Sequence, residues 1–314
     1  MKSIRHIFRI GHGPSSSHTM GPQKAAAYLK KQYPLATSYE VILYGSLAFT
    51  GRGHLTDRII IDTFSPTPCQ VKLDYKTKVD HVNTMDVFIH IDESHMIRRR
   101  VISLGGGAIQ IEDEPPYESA DIYHEENFEA IKAVCEAKKW RLYQYVEAHE
   151  GESIYDYLRQ VWSQMTATIE RGLHSTGFLP GKLKVHRRAP DLATISDKEE
   201  TSEMKTYRTL SAYAFATGEE NASGGMMVTA PTCGSAGTLP AVLKYLVETY
   251  HYDETAVLRA LATAGIIGNV VKQNASISGA EAGCQSEIGT ACSMAAAAYA
   301  ELLGLDLQQI ESAA

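Results

Sequence analysis

The residues best equipped for chemistry lie at 13–22, which read Gly-Pro-Ser-Ser-Ser-His-Thr-Met-Gly-Pro. Three hydroxyls, an imidazole and a threonine sit between Gly/Pro breakers, just ahead of a helical pattern starting at Gln23-Lys24-Ala25-Ala26. One hydroxyl suffices to cap a helix. Ser15, Ser16, Ser17, His18 and Thr19 offer far more hydrogen bonding than a cap uses, and a helix N-terminus favours an anion. One reading is a cradle for a small carboxylate or phosphate; the other is a serine-rich capped loop. Two further histidines stand in comparable settings. His54 follows Thr50-Gly51-Arg52-Gly53, in a glycine loop expected between two strands, and His81 opens the polar run His81-Val82-Asn83-Thr84 before a strand. Imidazole titrates near neutral pH, so such a pair can move protons; a lone loop histidine is otherwise a solvated side chain.

Two more polar, glycine-punctuated stretches open helices. Asn221 to Gly237 leads into a helix at Leu239, and Asn274-Ala275-Ser276 to Gln285 leads into the last long helix. Neither carries a P-loop lysine or a dinucleotide-type strand–turn–helix. No lysine stands out as an anchor for pyridoxal phosphate. Cys284 sits at a Gly-flanked helix start, where a thiolate is stabilised. Cys292, eight residues on, shares its face but lies two turns away, too far to close a local metal clip. It reads as a small apolar core residue, and Cys69 and Cys135 read as structural.

The elements that must position these groups fall into two textures. Val41–Tyr44, Arg58–Asp62, Val87–Ile91, Arg100–Leu104 and Ala108–Ile111 read as strands, and Gln23–Lys31 as a helix. From Asn127 onward the pattern is helical, over 127–139, 153–172, 198–217, 239–250, 254–268 and 280–303. The fold class is therefore α+β: an N-terminal α/β domain with a mixed sheet (1–114), a charged, proline-bearing linker (115–126) and an all-helical C-terminal domain (127–314). The small residues of Ala291 to Ala300 suit closely packed helices.

The 314 residues include 44% hydrophobic and 21% charged residues, ordinary for a globular protein. A formal charge of -7 argues against nucleic acid as a main partner. Arg98-Arg99-Arg100 reads as a solvated edge, while His186-Arg187-Arg188 could sit nearer an anion. The N-terminus lacks the apolar core of a secretory signal. No run of roughly 18 apolar residues predicts a membrane span. Five scattered cysteines point to reduced thiols and a cytoplasmic location.

Taken together, GPSSSHTMGP at 13–22, YGSLAFTGRGHLTD at 44–57, LPGKLKVHRRAP at 179–190, NASGGMMVTAPTCGSAGTLPAVL at 221–243 and NASISGAEAGCQSEIGTACSMAAA at 274–297 resemble the iron–sulfur-dependent L-serine dehydratases, in that family's order and over essentially the whole chain. The resemblance implies an active site between an α/β and a helical domain, and a [4Fe–4S] cluster held by three thiolates with one open iron. That iron acts as the Lewis acid that activates the β-hydroxyl of L-serine, giving pyruvate and ammonia. It implies Cys284 as the first cluster ligand and His54 and His81 as catalytic residues. It further implies Ser15, Ser16, Ser17, His18 and Thr19 as substrate-binding, with Asn274 and Ser276 beside the cluster cysteine, and a homodimer. The family's other two cluster cysteines follow position 314, so the expected ligand set within 1–314 is incomplete. On that account poor solubility is expected of these 314 residues alone. Two other functions stay open at this point: an inactive or serine-binding relative, and a related lyase acting on cysteine or threonine.

Overall fold

The computed structural model describes residues 1–92, 94–115, 120–194, 200–277 and 282–314. The chain forms two compact units, residues 12–118 and residues 1–11 together with 119–314.

The smaller unit is built on a five-stranded mixed sheet in the order β3-β2-β4-β5-β6. The strands are β2 (Ser38–Leu43), β3 (Cys69–Leu73), β4 (Thr84–His90), β5 (Met96–Gly105) and β6 (Ala108–Ile111). β2 runs parallel to β3; the other pairings are antiparallel. Alternate residues Tyr39, Val41 and Leu43 of β2 and Met85, Val87 and Ile89 of β4 point into one core, as the two-residue period of a strand requires. Ala25, Ala26 and Leu29 of α1 (Gly21–Gln32) and Ile60 and Phe64 of α3 (Thr56–Phe64) cover that face. Between β2 and α3 lies α2 (Gly45–Thr50).

Arg58–Asp62, expected as a strand, is the middle of α3. Its three consecutive isoleucines carry the β-branched signature, but Thr56, Ile60 and Phe64 are the buried residues, at four-residue spacing, while Ile61 faces solvent. One-sided burial at that spacing selects a helix over β propensity. β3 went unread because its residues alternate only between half-buried and exposed at a sheet edge.

Arg98 and Arg100 reach solvent, but from inside the sheet rather than at its edge, and both converge on one buried carboxylate. Asp86 on β4 is 2% exposed and accepts from both guanidinium groups at 2.9–3.1 Å, and from the Tyr44 hydroxyl at 3.0 Å. Register places Asp86 directly opposite Arg100. The two arginines and the Tyr44 hydroxyl hold the Asp86 carboxyl below its ordinary range, against the opposing pull of burial.

The larger unit contains α4 (Phe128–Lys138), α5 (Leu142–Glu150), α6 (Ser153–His174), α7 (Ala189–Thr194), α8 (Ser202–Ala222), α9 (Thr238–Tyr250), α10 (Glu254–Asn274), α11 (Cys284–Leu302) and α12 (Leu307–Ala313). The starts expected at Lys198 and Ala280 lie outside the described residues. A two-stranded sheet joins β1 (Ile10–His12) to β7 (Met226–Val228). Ile4, Ile7 and Phe8, all fully buried, are packed in the same core as α10. α10 is long and apolar enough to cross a membrane, yet 67% of that window is buried inside the protein. Its apolar residues, Val257 to Ile267, are core residues.

Arg187 does sit by an anion, and it is one of the chain's own. Its guanidinium donates to Glu220 Oε1 at 3.1 Å and to Ser223 Oγ at 2.6 Å. Cys292 is exposed on α11 rather than in the core, because the inward face of that helix belongs to Ala291, Met294, Ala295 and Ala298.

Candidate active site

The serine-rich loop folds into a wide helical turn ahead of α1. Residues 16–20 make it, with the Thr19 and Met20 N–H groups both donating to the Ser15 carbonyl. Such i→i+5 turns gather at functional sites. Its hydroxyls divide the work. Ser15 Oγ caps the turn, accepting from the His18 N–H at 3.1 Å. Ser17 Oγ lies 2.8 Å from His18 Nδ1, and Ser46 Oγ lies 2.8 Å from its Nε2. The Ser16 side chain is half-buried and makes no hydrogen bond to the described residues. Thr19 is committed to the scaffold: its hydroxyl accepts from the Ser15 N–H at 3.2 Å and donates to the His54 carbonyl at 2.8 Å. Thr56 closes the other side, donating to the His18 carbonyl at 2.6 Å.

These bonds bring His18 and His54 together, with ring centroids 4.7 Å apart. His54 stands between two helices, α2 and α3, not between strands. His54 Nδ1 lies 3.1 Å from the Thr50 carbonyl. A carbonyl only accepts, so Nδ1 carries the proton and neutral His54 keeps a lone pair on Nε2. Burial lowers its pKa. His18 is 7% exposed. Burial, then the charge of His54, pushes its pKa down to about 4, against a weaker opposing bond from Ser46. Both imidazoles are therefore neutral at physiological pH.

His81 enters through its loop. The Ser46 N–H donates to the Val82 carbonyl at 2.7 Å. Gly45, at φ +50°, lies so near that a Cβ there would stand 2.6 Å from the same oxygen, an approach open only to glycine. The Asn83 N–H donates to His81 Nδ1 at 3.1 Å. His81 is thereby set in the opposite tautomer, with its proton on Nε2. Ser103, at the end of β5, donates from its backbone to the Asn83 carbonyl and from its hydroxyl to the Ser17 carbonyl. Asn83 is buried, and its Oδ1 has no hydrogen-bond partner.

Asn274, Ser276 and Cys284 belong to the helical unit. The Asn274 amide donates to the backbone carbonyls of Glu126 and Val270. The Ser276 carbonyl accepts from the Ser286 hydroxyl, which ties it to the first turn of α11, two residues from Cys284. Cys284 is exposed at the first helical position, after Gly283. Among the described residues no group of three or more His, Cys, Asp or Glu could hold a metal ion. Cys292 is also exposed, but two turns along a helix is about 12 Å. One thiolate fits a corner of an iron–sulfur cluster, and the described residues do not complete the set.

Sequence reasoning overlooked Ser46, Thr56, Asn83 and Ser103 as parts of this arrangement. Ser46, Thr56 and Asn83 stand within three residues of a glycine or histidine already singled out, which was the available signal. Ser103 had none. The Thr229–Gly237 loop is largely buried and turned inward: Ser235 donates to the Ala230 carbonyl, and its oxygen lies 3.2 Å from that of Thr232.

Comparison with known proteins also divides the chain in two, with residues 3–11, which fold with the larger unit, falling in the N-terminal match. The family model of the serine dehydratase alpha chain matches residues 117–314, and that of the beta chain matches residues 3–74. The L-serine dehydratase of Streptomyces coelicolor is 34% identical, over 99% of this chain and 81% of its own length. L-serine dehydratase 1 of Escherichia coli K12 is 35% identical over 99% and 80%. The L-serine dehydratase of Helicobacter pylori 26695 is 32% identical over 98% and 80%.

Proposed function

Since this chain belongs to the L-serine dehydratase family, we propose that it is a lyase converting L-serine to pyruvate and ammonia, and that His54 and His81 move its protons. The observation that carries the assignment of roles is the opposite tautomers of the two imidazoles. His54, held by the Thr50 carbonyl, has its lone pair on Nε2 and takes the Cα proton. His81, held by the Asn83 N–H, has its proton on Nε2 and donates it as a hydrogen bond to the departing β-oxygen; the proton that His54 takes from Cα passes to the hydroxide, which leaves as water. The aminoacrylate left behind tautomerises to an imine and hydrolyses to pyruvate and ammonia. Thr19 and Thr56 act as positioning residues, each fixing the backbone of a histidine. Ser15, Ser16, Ser17 and His18 receive the substrate, Ser16 with its uncommitted hydroxyl.

The cofactor we propose is a [4Fe–4S] cluster, which would supply Lewis-acid activation of the hydroxyl. Cys284 is the ligand that the described residues offer, with Asn274 and Ser276 flanking it. Because they do not complete its ligand set, no step is derived through it. We assign a beta-type domain to 1–114, a connection to 115–126 and an alpha-type domain to 127–314; the family matches at 3–74 and 117–314 support the two-part division. Five free thiols favour a reducing, cytoplasmic setting. The family implies a homodimer, to be checked by sedimentation.

The test is pyruvate release from L-serine by anaerobically prepared protein, read by coupled NADH oxidation. Pyruvate from wild type, with loss of iron and of absorbance near 400 nm in Cys284→Ser, is the expected result. Anaerobic protein that retains iron yet forms no pyruvate from L-serine would overturn the reading.

A further inference from the structure

Ser46 is tied to all three loop histidines of the smaller unit. Its Oγ lies 2.8 Å from His18 Nε2. Its N–H donates to the Val82 carbonyl at 2.7 Å, one residue on from His81. Its carbonyl accepts from the Thr50 hydroxyl at 2.8 Å, and the Thr50 carbonyl in turn receives the His54 N–H at 3.1 Å and lies 3.1 Å from His54 Nδ1. The local sequence allows this. Ser46 stands in the first turn of α2, where an N–H has no partner within its own helix. Tyr44, at the N-cap, makes no side-chain bond to that turn, so the Val82 carbonyl caps it, through the gap that Gly45 leaves.

The hydroxyl has a role separate from the backbone's. A neutral imidazole has one N–H and one lone pair. His18 meets a hydroxyl at each nitrogen, Ser17 at Nδ1 and Ser46 at Nε2, both at 2.8 Å, while Ser15 Oγ stands further off at 3.4 Å. The two near hydroxyls are thereby coupled through the ring. Where Ser46 donates, Nδ1 holds the proton, Ser17 accepts, and the Ser17 O–H is left for a ligand. Where Ser46 accepts, Ser17 donates to the ring and offers a ligand lone pairs only. Ser17 moves with His18, its neighbour in the chain; Ser46 reaches the ring from another helix, 28 positions on. His18 is buried, so a ring nitrogen stripped of its hydroxyl is left poorly solvated, which costs free energy.

We infer that Ser46 is a positioning residue of the site: through His18 it sets how the Ser17 hydroxyl is presented to the substrate. Its backbone bonds hold the histidine loops whatever the side chain, so the hydroxyl is spare for this role. The effect on the substrate rests on the proposed function, in which Ser17 and His18 receive L-serine; the hydroxyl–imidazole–hydroxyl chain does not.

Ser46→Ala removes the hydroxyl and keeps both backbone bonds. A first measurement needs no activity. In the whole chain with isotope-labelled histidine, ring proton–nitrogen correlation spectra should show the His18 nitrogens, identified by their loss in His18→Gln, moved in Ser46→Ala and returned in Ser46→Thr. The second measurement is pyruvate formation. KM for L-serine should rise about 3–10-fold in Ser46→Ala, the worth of one net hydrogen bond, with kcat little changed, and Ser46→Thr should recover it. A purely structural loss would instead lower Tm and the fraction of active protein and leave KM as it was. Should Ser46→Ala misfold by circular dichroism, Ser46→Cys, with its weaker donor, takes its place. His18 resonances that stay in place in the folded variant overturn the proposal, and so does an unchanged KM in an active one. If wild type forms no pyruvate, the proposed function fails and the ring spectra alone decide whether Ser46 sets His18.

Discussion

The imidazoles of His18 and His54 face each other at 4.7 Å, tilted by 38°, with the Thr19 hydroxyl bonded to the His54 carbonyl between them. Burial lowers the pKa of both rings, and the neighbouring His54 lowers that of His18 further, so both stay neutral. His54→Asn should therefore lower kcat for pyruvate formation by on the order of 10²–10⁴-fold, the range of a lost general base, with KM for L-serine little changed. A variant retaining near-wild-type kcat would remove His54 from the chemistry.

Protonation of this pair also sets an acid limit on stability. His18 has a folded pKa near 4, below its ordinary 6.5, so the unfolded chain binds its proton first as pH falls. The stabilisation is complete above 6.5 and is lost as pH drops toward 4, on the order of 3 kcal/mol in all. His54 shifts in the same direction. Urea unfolding at pH 6.5, 5.5 and 4.5 should show falling midpoints, and His18→Gln should flatten that slope.

Thr19 and Thr56 touch no substrate in the proposed scheme; they hold backbone. Thr19→Val should cost about 1–2 kcal/mol of stability, one buried hydrogen-bonding group, and lower kcat by shifting His54. Thr19→Ser keeps the hydroxyl and should recover most of the kcat. If Thr19→Val keeps full kcat, the Thr19–His54 bond has no positioning role.

Asp86 anchors the sheet beneath the His81 loop. Asp86→Ala leaves the buried Tyr44 hydroxyl and two solvent-reaching arginines without their carboxylate and should destabilise the protein by about 1–3 kcal/mol, measured by urea titration. A loss below about 1 kcal/mol would mean that Asp86 does not anchor the sheet.

Gly172 on α6 packs against the backbone of α8. A Cβ there would lie 2.3 Å from the Ala216 carbonyl on α8, against backbone that cannot swing aside. Gly172→Ala should lower Tm through overpacking of roughly 1–3 kcal/mol, although alanine is the better helix former.

Much of the site was legible because its residues announce themselves locally. A string such as Ser15-Ser16-Ser17-His18-Thr19 between breakers exceeds the needs of any cap, and His54 and His81 stand next to glycine or polar runs. The helices of the C-terminal part were legible for the same local reason, a 3.6-residue period sustained over 11–22 residues. Arg58–Asp62 was misread because three β-branched residues in a row speak louder than burial, which only packing reveals. Cys292 was misplaced because sequence spacing cannot say which face of α11 turns inward.

By itself, then, the chain's order of residues determined the two textures, the mixed sheet and the identity of the polar loops, since these depend on periodicity and turn chemistry within a few neighbours. Only the tertiary structure decided which ring nitrogen of His54 and His81 holds its proton, that Arg98 and Arg100 serve one buried carboxylate, and that the Ser103 hydroxyl bonds to the Ser17 carbonyl. Each of these is a contact between residues separated by anything from 2 to 86 positions. A hydrogen bond or a charge pair is set by distance in space, which no local pattern encodes.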